Sequence, residues 1–232
     1  MSLTKRLTAE FTGSAFLLAA IIGSGVMAEN LAGGNIALAL LANTVSTGAM
    51  LAVLILVFGP VSGAHFNPAV SVAFLLREQI PAGDTALYIL AQISGALAGM
   101  LCAHFMFELP LLQFSTHIRA GMAQFGSEFI ATMGLLLIIF GCLRYRAEAV
   151  SYAVALYISS AYWFTASTSF ANPSVTIARS LTDSFSGIRP IDAPWFILAQ
   201  LAGAAVAGYV FGWLFSPDED ETPSSPGKAA DF

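Results

Sequence analysis

The sequence predicts an all-α membrane protein in which six transmembrane helices and two re-entrant half-helices form an inverted repeat. Three observations carry that expectation. Apolar residues fill 57% of the 232 positions and charged residues only 10%, against roughly 25% charged in a soluble domain, which excludes a soluble globular protein. Six apolar runs each approach the roughly 20 residues that cross a bilayer core as a helix. Two shorter segments, both opening on Asn-Pro, recur in the two halves of the chain.

Runs bounded by Gly, Pro and charged residues place the spanning helices at about 8 to 28, 36 to 58, 84 to 107, 126 to 143, 149 to 168 and 194 to 215. Lys5-Arg6 ahead of an apolar stretch has the outline of a secretion leader. Glu10 interrupts it and further spans follow, so it is read as an uncleaved first helix. Residues at about 67 to 77 and 172 to 182 are too short to cross. Proline at a helix start is favourable, because its missing N–H would be unpaired there, and the preceding Asn supplies a cap. The stretch 216–232 holds Asp218, Glu219, Asp220 and Glu221 before a run rich in Ser, Pro and Gly, and is expected to be a disordered acidic tail.

With the N-terminus inside, Lys5, Arg6, Arg77, Arg144, Arg146 and Lys228 fall in the cytoplasm and Arg119, Arg179 and Arg189 outside. That asymmetry places both termini in the cytoplasm. The net charge of −5 leaves no basic face for nucleic acid. Cys102 and Cys142 lie in apolar runs without zinc-like or redox-like spacing and read as small hydrophobes; no cofactor or metal is expected.

The two halves carry the same signals in the same order. Ala9-Glu10-Phe11 is echoed by Ser127-Glu128-Phe129, and Asn67-Pro68-Ala69-Val70 by Asn172-Pro173-Ser174-Val175. Ala91-Gln92 with Gly95-Ala96 is echoed by Ala199-Gln200 with Gly203-Ala204. Three spans per half is an odd number, so the second half (about 126 to 215) enters from the side opposite to the first (about 1 to 107), giving a pseudo-two-fold axis in the membrane plane. The two Asn-Pro half-helices then meet near the midplane, where irregular backbone is tolerated only along a watery cavity. Their positive N-terminal ends repel cations, while the Asn67 and Asn172 amides donate to a neutral solute. The plainer role for each Asn is a helix cap alone.

Ser62-Gly63-Ala64-His65-Phe66-Asn67-Pro68-Ala69-Val70 resembles the first signature of the aquaporin (major intrinsic protein) family, and Asn172-Pro173-Ser174 the second. The resemblance covers the chain up to the tail and implies one channel domain over 1–215, a homotetramer with a pore in each subunit, and no enzymatic activity. Its implied partners are small neutral solutes, water and the lipid bilayer. It makes Asn67 and Asn172 the central donors, and the carbonyls of Gly63, Ala64, His65, Ser169, Phe170 and Ala171 an acceptor ladder. Glu10 and Glu128 become braces of the half-helix loops, where the alternative is proton coupling by intramembrane acids. Gln92 and Gln200 become packing residues that bond across helices beside small neighbours.

Most of the family has Arg directly after the second motif, where this chain has Val175. Counting back from the two Asn residues as the family does assigns the rest of the outer constriction to Thr47, Ser160 and Ser169, a small uncharged ring. Such a ring lacks the bulk and fixed cation of a water-selective filter and suits glycerol-sized solutes, including As(OH)3 and Sb(OH)3. The narrower resemblance is to bacterial aquaglyceroporins associated with arsenic resistance, which implies an inner-membrane location. Arg179, four residues beyond Val175, stands about 40° around the same helical face. It either carries the missing charge outward to the vestibule or pairs with Asp183 at i+4. A water-selective channel, a secondary transporter with inverted repeats and a non-conducting junctional protein are the competing functions.

Overall fold

The computed structural model describes residues 1–216, so the tail expected to be disordered lies outside the described residues but for Ser216. The elements are α1 (Leu3–Leu31), α2 (Ile36–Ser62), α3 (Pro68–Leu76), α4 (Ala82–Met106), α5 (Met122–Tyr145), α6 (Val150–Phe164), α7 (Pro173–Arg179) and α8 (Ala193–Leu214). Five of them, α1, α2, α4, α5 and α8, are long and apolar enough to cross a membrane. The sixth expected span is shorter. α6 has 15 residues and is extended by a 3-10 turn at Ala147–Ala149, together about 28 Å at the rises of the two helix types.

Caps decide several ends. α1 begins five residues before its apolar run because the Ser2 side chain accepts the Lys5 N–H, and the Arg6 guanidinium pairs with Asp84 at the start of α4 at 2.7 Å. Asn35 caps α2 by accepting the Leu38 N–H. α2 ends where Gly63 turns left-handed at φ 88°, a conformation that glycine adopts without a Cβ penalty. α6 stops at Thr165, which leaves helical geometry and bonds back to Ala161.

The packing repeats with the sequence. α1 packs on α2 and α4 as α5 packs on α6 and α8, and each short helix also docks on the last helix of the other half, α3 on α8 and α7 on α4. Close approach depends on missing side chains. A Cβ at Gly95 or Gly99 of α4 would strike the Phe11 or Ala15 backbone of α1, and one at Gly203 of α8 the Phe129 backbone of α5. In lipid, where apolar surface gains nothing by leaving solvent, such backbone contact is what holds helices together. Leu90, Phe105, Leu156, Trp195, Tyr209 and Trp213 stay exposed on the outer faces, where a bilayer is their natural solvent.

Candidate pore

Inside the bundle, one elongated cavity is lined by both short helices, the loops before them and four long helices. The apolar wall follows helical spacing: Leu17 and Ile21 of α1 mirror Leu135 and Ile139 of α5, α2 contributes Thr47, Leu51 and Ile55, and α6 contributes Val150, Val154, Ile158 and Tyr162. No Asp or Glu is among the lining residues.

The polar wall is built by two buried carboxylates. Glu10 accepts the N–H groups of His65 (3.0 Å) and Phe66 (2.7 Å), the Ser62 hydroxyl and the Gln92 amide. Glu128 accepts the N–H groups of Phe170 and Ala171, both at 2.8 Å, and the Gln200 amide. The glutamines then donate to matching hydroxyls, Gln92 to Ser71 and Gln200 to Thr176. Ser62 and Ser167 likewise accept the N–H groups of Ala64 and Ser169. In a trans peptide the carbonyl points opposite to the N–H, so tying these amides back to the carboxylates and serines turns the carbonyls of Gly63, Ala64 and His65, and of Ser169 and Phe170, away from them, and all five residues line the cavity.

The backbone bends to do this. Ala64, Phe66, Thr168, Ser169 and Ala171 all have φ between 48° and 61°, a region unfavourable for residues with a Cβ. The same hydrogen bonds that orient the carbonyls compensate that strain. The Ala171 carbonyl accepts the Asn67 side-chain amide at 2.7 Å, and Ala171 also lines the cavity with Ser169 and Phe170.

Asn67 and Asn172 meet as mirror images. Asn172 donates to the Phe66 carbonyl at 2.8 Å, the counterpart of the Asn67 bond to Ala171. Each side-chain oxygen caps its own helix, Asn67 accepting from Ala69 and Asn172 from Ser174 and Val175. The side-chain oxygen thus serves the helix and one amide hydrogen the other repeat, and both Asn67 and Asn172 line the cavity. Pro68 and Pro173 open the two helices, with Ala69 and Ser174 buried behind the junction. His65 lines the cavity with its Nδ1 held 3.0 Å from Ser71.

The residues expected at the constriction differ from expectation in two ways. Thr47, Ser169 and Val175 line the cavity, but Ser160 is exposed on the opposite side of α6. Two residues along a helix rotate a side chain by about 200°, so the wall series 150, 154, 158 and 162 excludes it. Tyr162 takes its place and donates to Thr47 at 3.4 Å. The ring is uncharged but contains one bulky aromatic. Counting back from Asn172 fails because it assumes a fixed distance between the end of α6 and the Asn-Pro turn; the four-residue apolar period of α6 was the signal that finds Tyr162.

Arg179 lies in the wall one turn beyond Val175, and is only 2% exposed. It does not pair with Asp183. That carboxylate accepts from the Thr116 backbone and hydroxyl, while the Arg179 Nε donates to the Ser186 carbonyl and its guanidinium lies 3.4 Å from the Phe170 ring centroid. A hydroxyl chain from His104 on α4 through Thr182 and Ser184 to Ser186 holds that loop in place. Arg119, from the α4–α5 loop, also reaches the Phe170 ring, at 5.0 Å, and bonds to the Gly187 and Ser167 carbonyls. Nothing in the spacing of that loop marks Arg119 beforehand.

Five or six membrane helices, two short helices meeting by their N-termini and a carbonyl-lined cavity define a membrane channel. The Major intrinsic protein family pattern matches residues 1–149. Aquaglyceroporin AqpS of Rhizobium meliloti is 52% identical over 93% of this chain and 92% of its own length, and Aquaporin Z of Bradyrhizobium diazoefficiens is 28% identical over 90% and 93%. Among solved structures, the aquaglyceroporin from Plasmodium falciparum superposes with a TM-score of 0.64 at 22% identity, covering 92% of this chain and 96% of that one, a likeness of fold. The chain belongs to the Major intrinsic protein family.

Proposed function

We propose that the chain is a passive channel for small uncharged hydroxylated solutes, glycerol-like polyols and neutral metalloid hydroxides such as As(OH)3 and Sb(OH)3, which also passes some water. The observation that carries this is the place of Val175: its side chain lines the cavity directly beyond the Asn67–Asn172 junction, while the only arginine in the wall, Arg179, is drawn one turn outward onto Phe170 and Ser186. The constriction of Thr47, Tyr162, Ser169 and Val175 then carries no fixed charge. Facing it, an apolar wall and a carbonyl ladder match a solute with carbon on one side and hydroxyls on the other, since each hydroxyl that loses water needs an acceptor.

Cations are opposed by the two half-helix ends, each worth roughly half a positive charge. Glu10 and Glu128 act as braces: both are fully buried and committed to loop amides, which favours a passive pore over a proton-coupled transporter. A relative half identical in sequence carries the name aquaglyceroporin, which supports the glycerol part of this reading. In the assembly proposed, four copies sit in a bacterial inner membrane with both termini cytoplasmic, and Arg179 at the outer mouth. Stopped-flow swelling of vesicles carrying the purified protein tests the reading: glycerol and arsenite permeabilities should exceed those of empty vesicles, with fluxes that rise linearly with the gradient. Water flux without glycerol flux would replace it with a water-selective channel.

A further inference from the structure

Two guanidiniums share one aromatic ring at the outer end of the cavity. The Arg119 and Arg179 side chains both sit within 5.0 Å of the Phe170 ring centroid, so their separation is on the order of one Debye length, about 8 Å at physiological salt, and neither screens out the other. Among the described residues, no carboxylate lies within salt-bridge distance of either. The surrounding acids are committed elsewhere: Asp192 to Arg189 and the Arg119 backbone, Asp183 to Thr116, Glu29 to the Phe185 N–H, and Glu128 to its loop amides.

Arg179 adds the decisive feature. Its Nη1 is buried and has no hydrogen-bond partner, while the side chain itself lines the cavity. A buried charged donor left unpaired is costly, and stacking on an aromatic face offsets only part of that. A fork of N–H groups on a cation is complemented by two oxygens in one plane, the edge of a carboxylate or a phosphate.

We propose that the outer mouth binds one small oxyanion between Arg119 and Arg179. The bound anion neutralises the unpaired guanidinium and stands on the approach to the ring, so outside oxyanion slows entry of neutral solutes; this flux consequence, unlike the binding itself, rests on the channel function proposed above. The site belongs to the vestibule, one helical turn outside Val175.

Titration calorimetry on the purified full-length protein in detergent, with inorganic phosphate and with acetate as separate probes, tests it. Saturable binding is expected, weakened about tenfold or more in Arg179→Gln, the loss that one charge-assisted hydrogen bond carries, and measurably in Arg119→Gln. The latter side chain is partly exposed and serves as the test if Arg179→Gln fails to fold. Binding of one probe alone supports the site and identifies its oxyanion class. Absence of binding by both probes overturns it, as does binding equally tight in the variants that fold. External anion should also slow glycerol entry into vesicles saturably; vesicles that pass no glycerol while the protein still binds anion would refute the proposed passage of glycerol-like solutes and leave the site standing.

Discussion

The Tyr162 hydroxyl donates to the Thr47 hydroxyl at 3.4 Å, joining α6 to α2 in the cavity wall. In the constriction proposed, Tyr162 is the one bulky member beside Thr47, Ser169 and Val175. Tyr162→Ala should raise glycerol permeability relative to water in vesicle assays, at a stability cost of about 3–5 kcal/mol for losing a buried ring. Tyr162→Phe keeps the volume and should leave the ratio near wild type. A glycerol-to-water ratio that does not move in the Ala variant would remove Tyr162 from the constriction.

Glu128 holds the Phe170 and Ala171 amides together with Gln200. Glu128→Gln loses the charge and replaces one acceptor oxygen with a donor that faces donors. The expected loss is about 1–3 kcal/mol for each bond left unmade, read as a lower melting temperature in detergent. If Glu128 were instead a proton-coupling acid, the variant would fold as stably as wild type and lose only an uncoupler-sensitive part of the flux.

The Thr116 backbone N–H, and after it the Thr116 hydroxyl, hold the Asp183 carboxyl below the usual carboxylate range. A group whose folded value is depressed contributes stability above its unfolded value, near 4, and loses it as pH falls through the folded one. The tie between the α4–α5 and α7–α8 loops should thus be intact at pH 6 and weaken below about pH 4. Hydrogen exchange at the Thr116 amide, corrected for the intrinsic pH dependence, should show protection falling over that range in wild type. Asp183→Asn should flatten the dependence; an identical profile in both proteins would contradict the assignment.

Much of this fold is legible in the sequence because it is written twice. Glu10 with Glu128, Asn67 with Asn172 and Gln92 with Gln200 recur in order, and the structure joins each set into the same hydrogen-bond pattern. What the repeat does not encode is where it departs from itself. Phe74 and Arg179 occupy equivalent positions in the two short helices, and both line the cavity; one apolar, one cationic, they give the two ends different chemistry. Ser160 was misplaced because the length of the turn between α6 and Asn172 is a tertiary property. Arg119 was invisible because a loop residue meets Phe170 through folding, with no period to announce it.

In the channel proposed, Val175 leaves the constriction of Thr47, Tyr162 and Ser169 free of fixed charge. The ratio of glycerol to water permeability for Val175→Arg beside wild type, in the same vesicles and at matched protein content, decides whether it does. The guanidinium adds bulk and five donors, so glycerol permeability should fall about tenfold or more, the discrimination that a changed pocket contact of 1–3 kcal/mol supplies, and water permeability less. Arsenite should follow glycerol. Water and glycerol falling by the same factor, with the variant folded as wild type, would contradict the account.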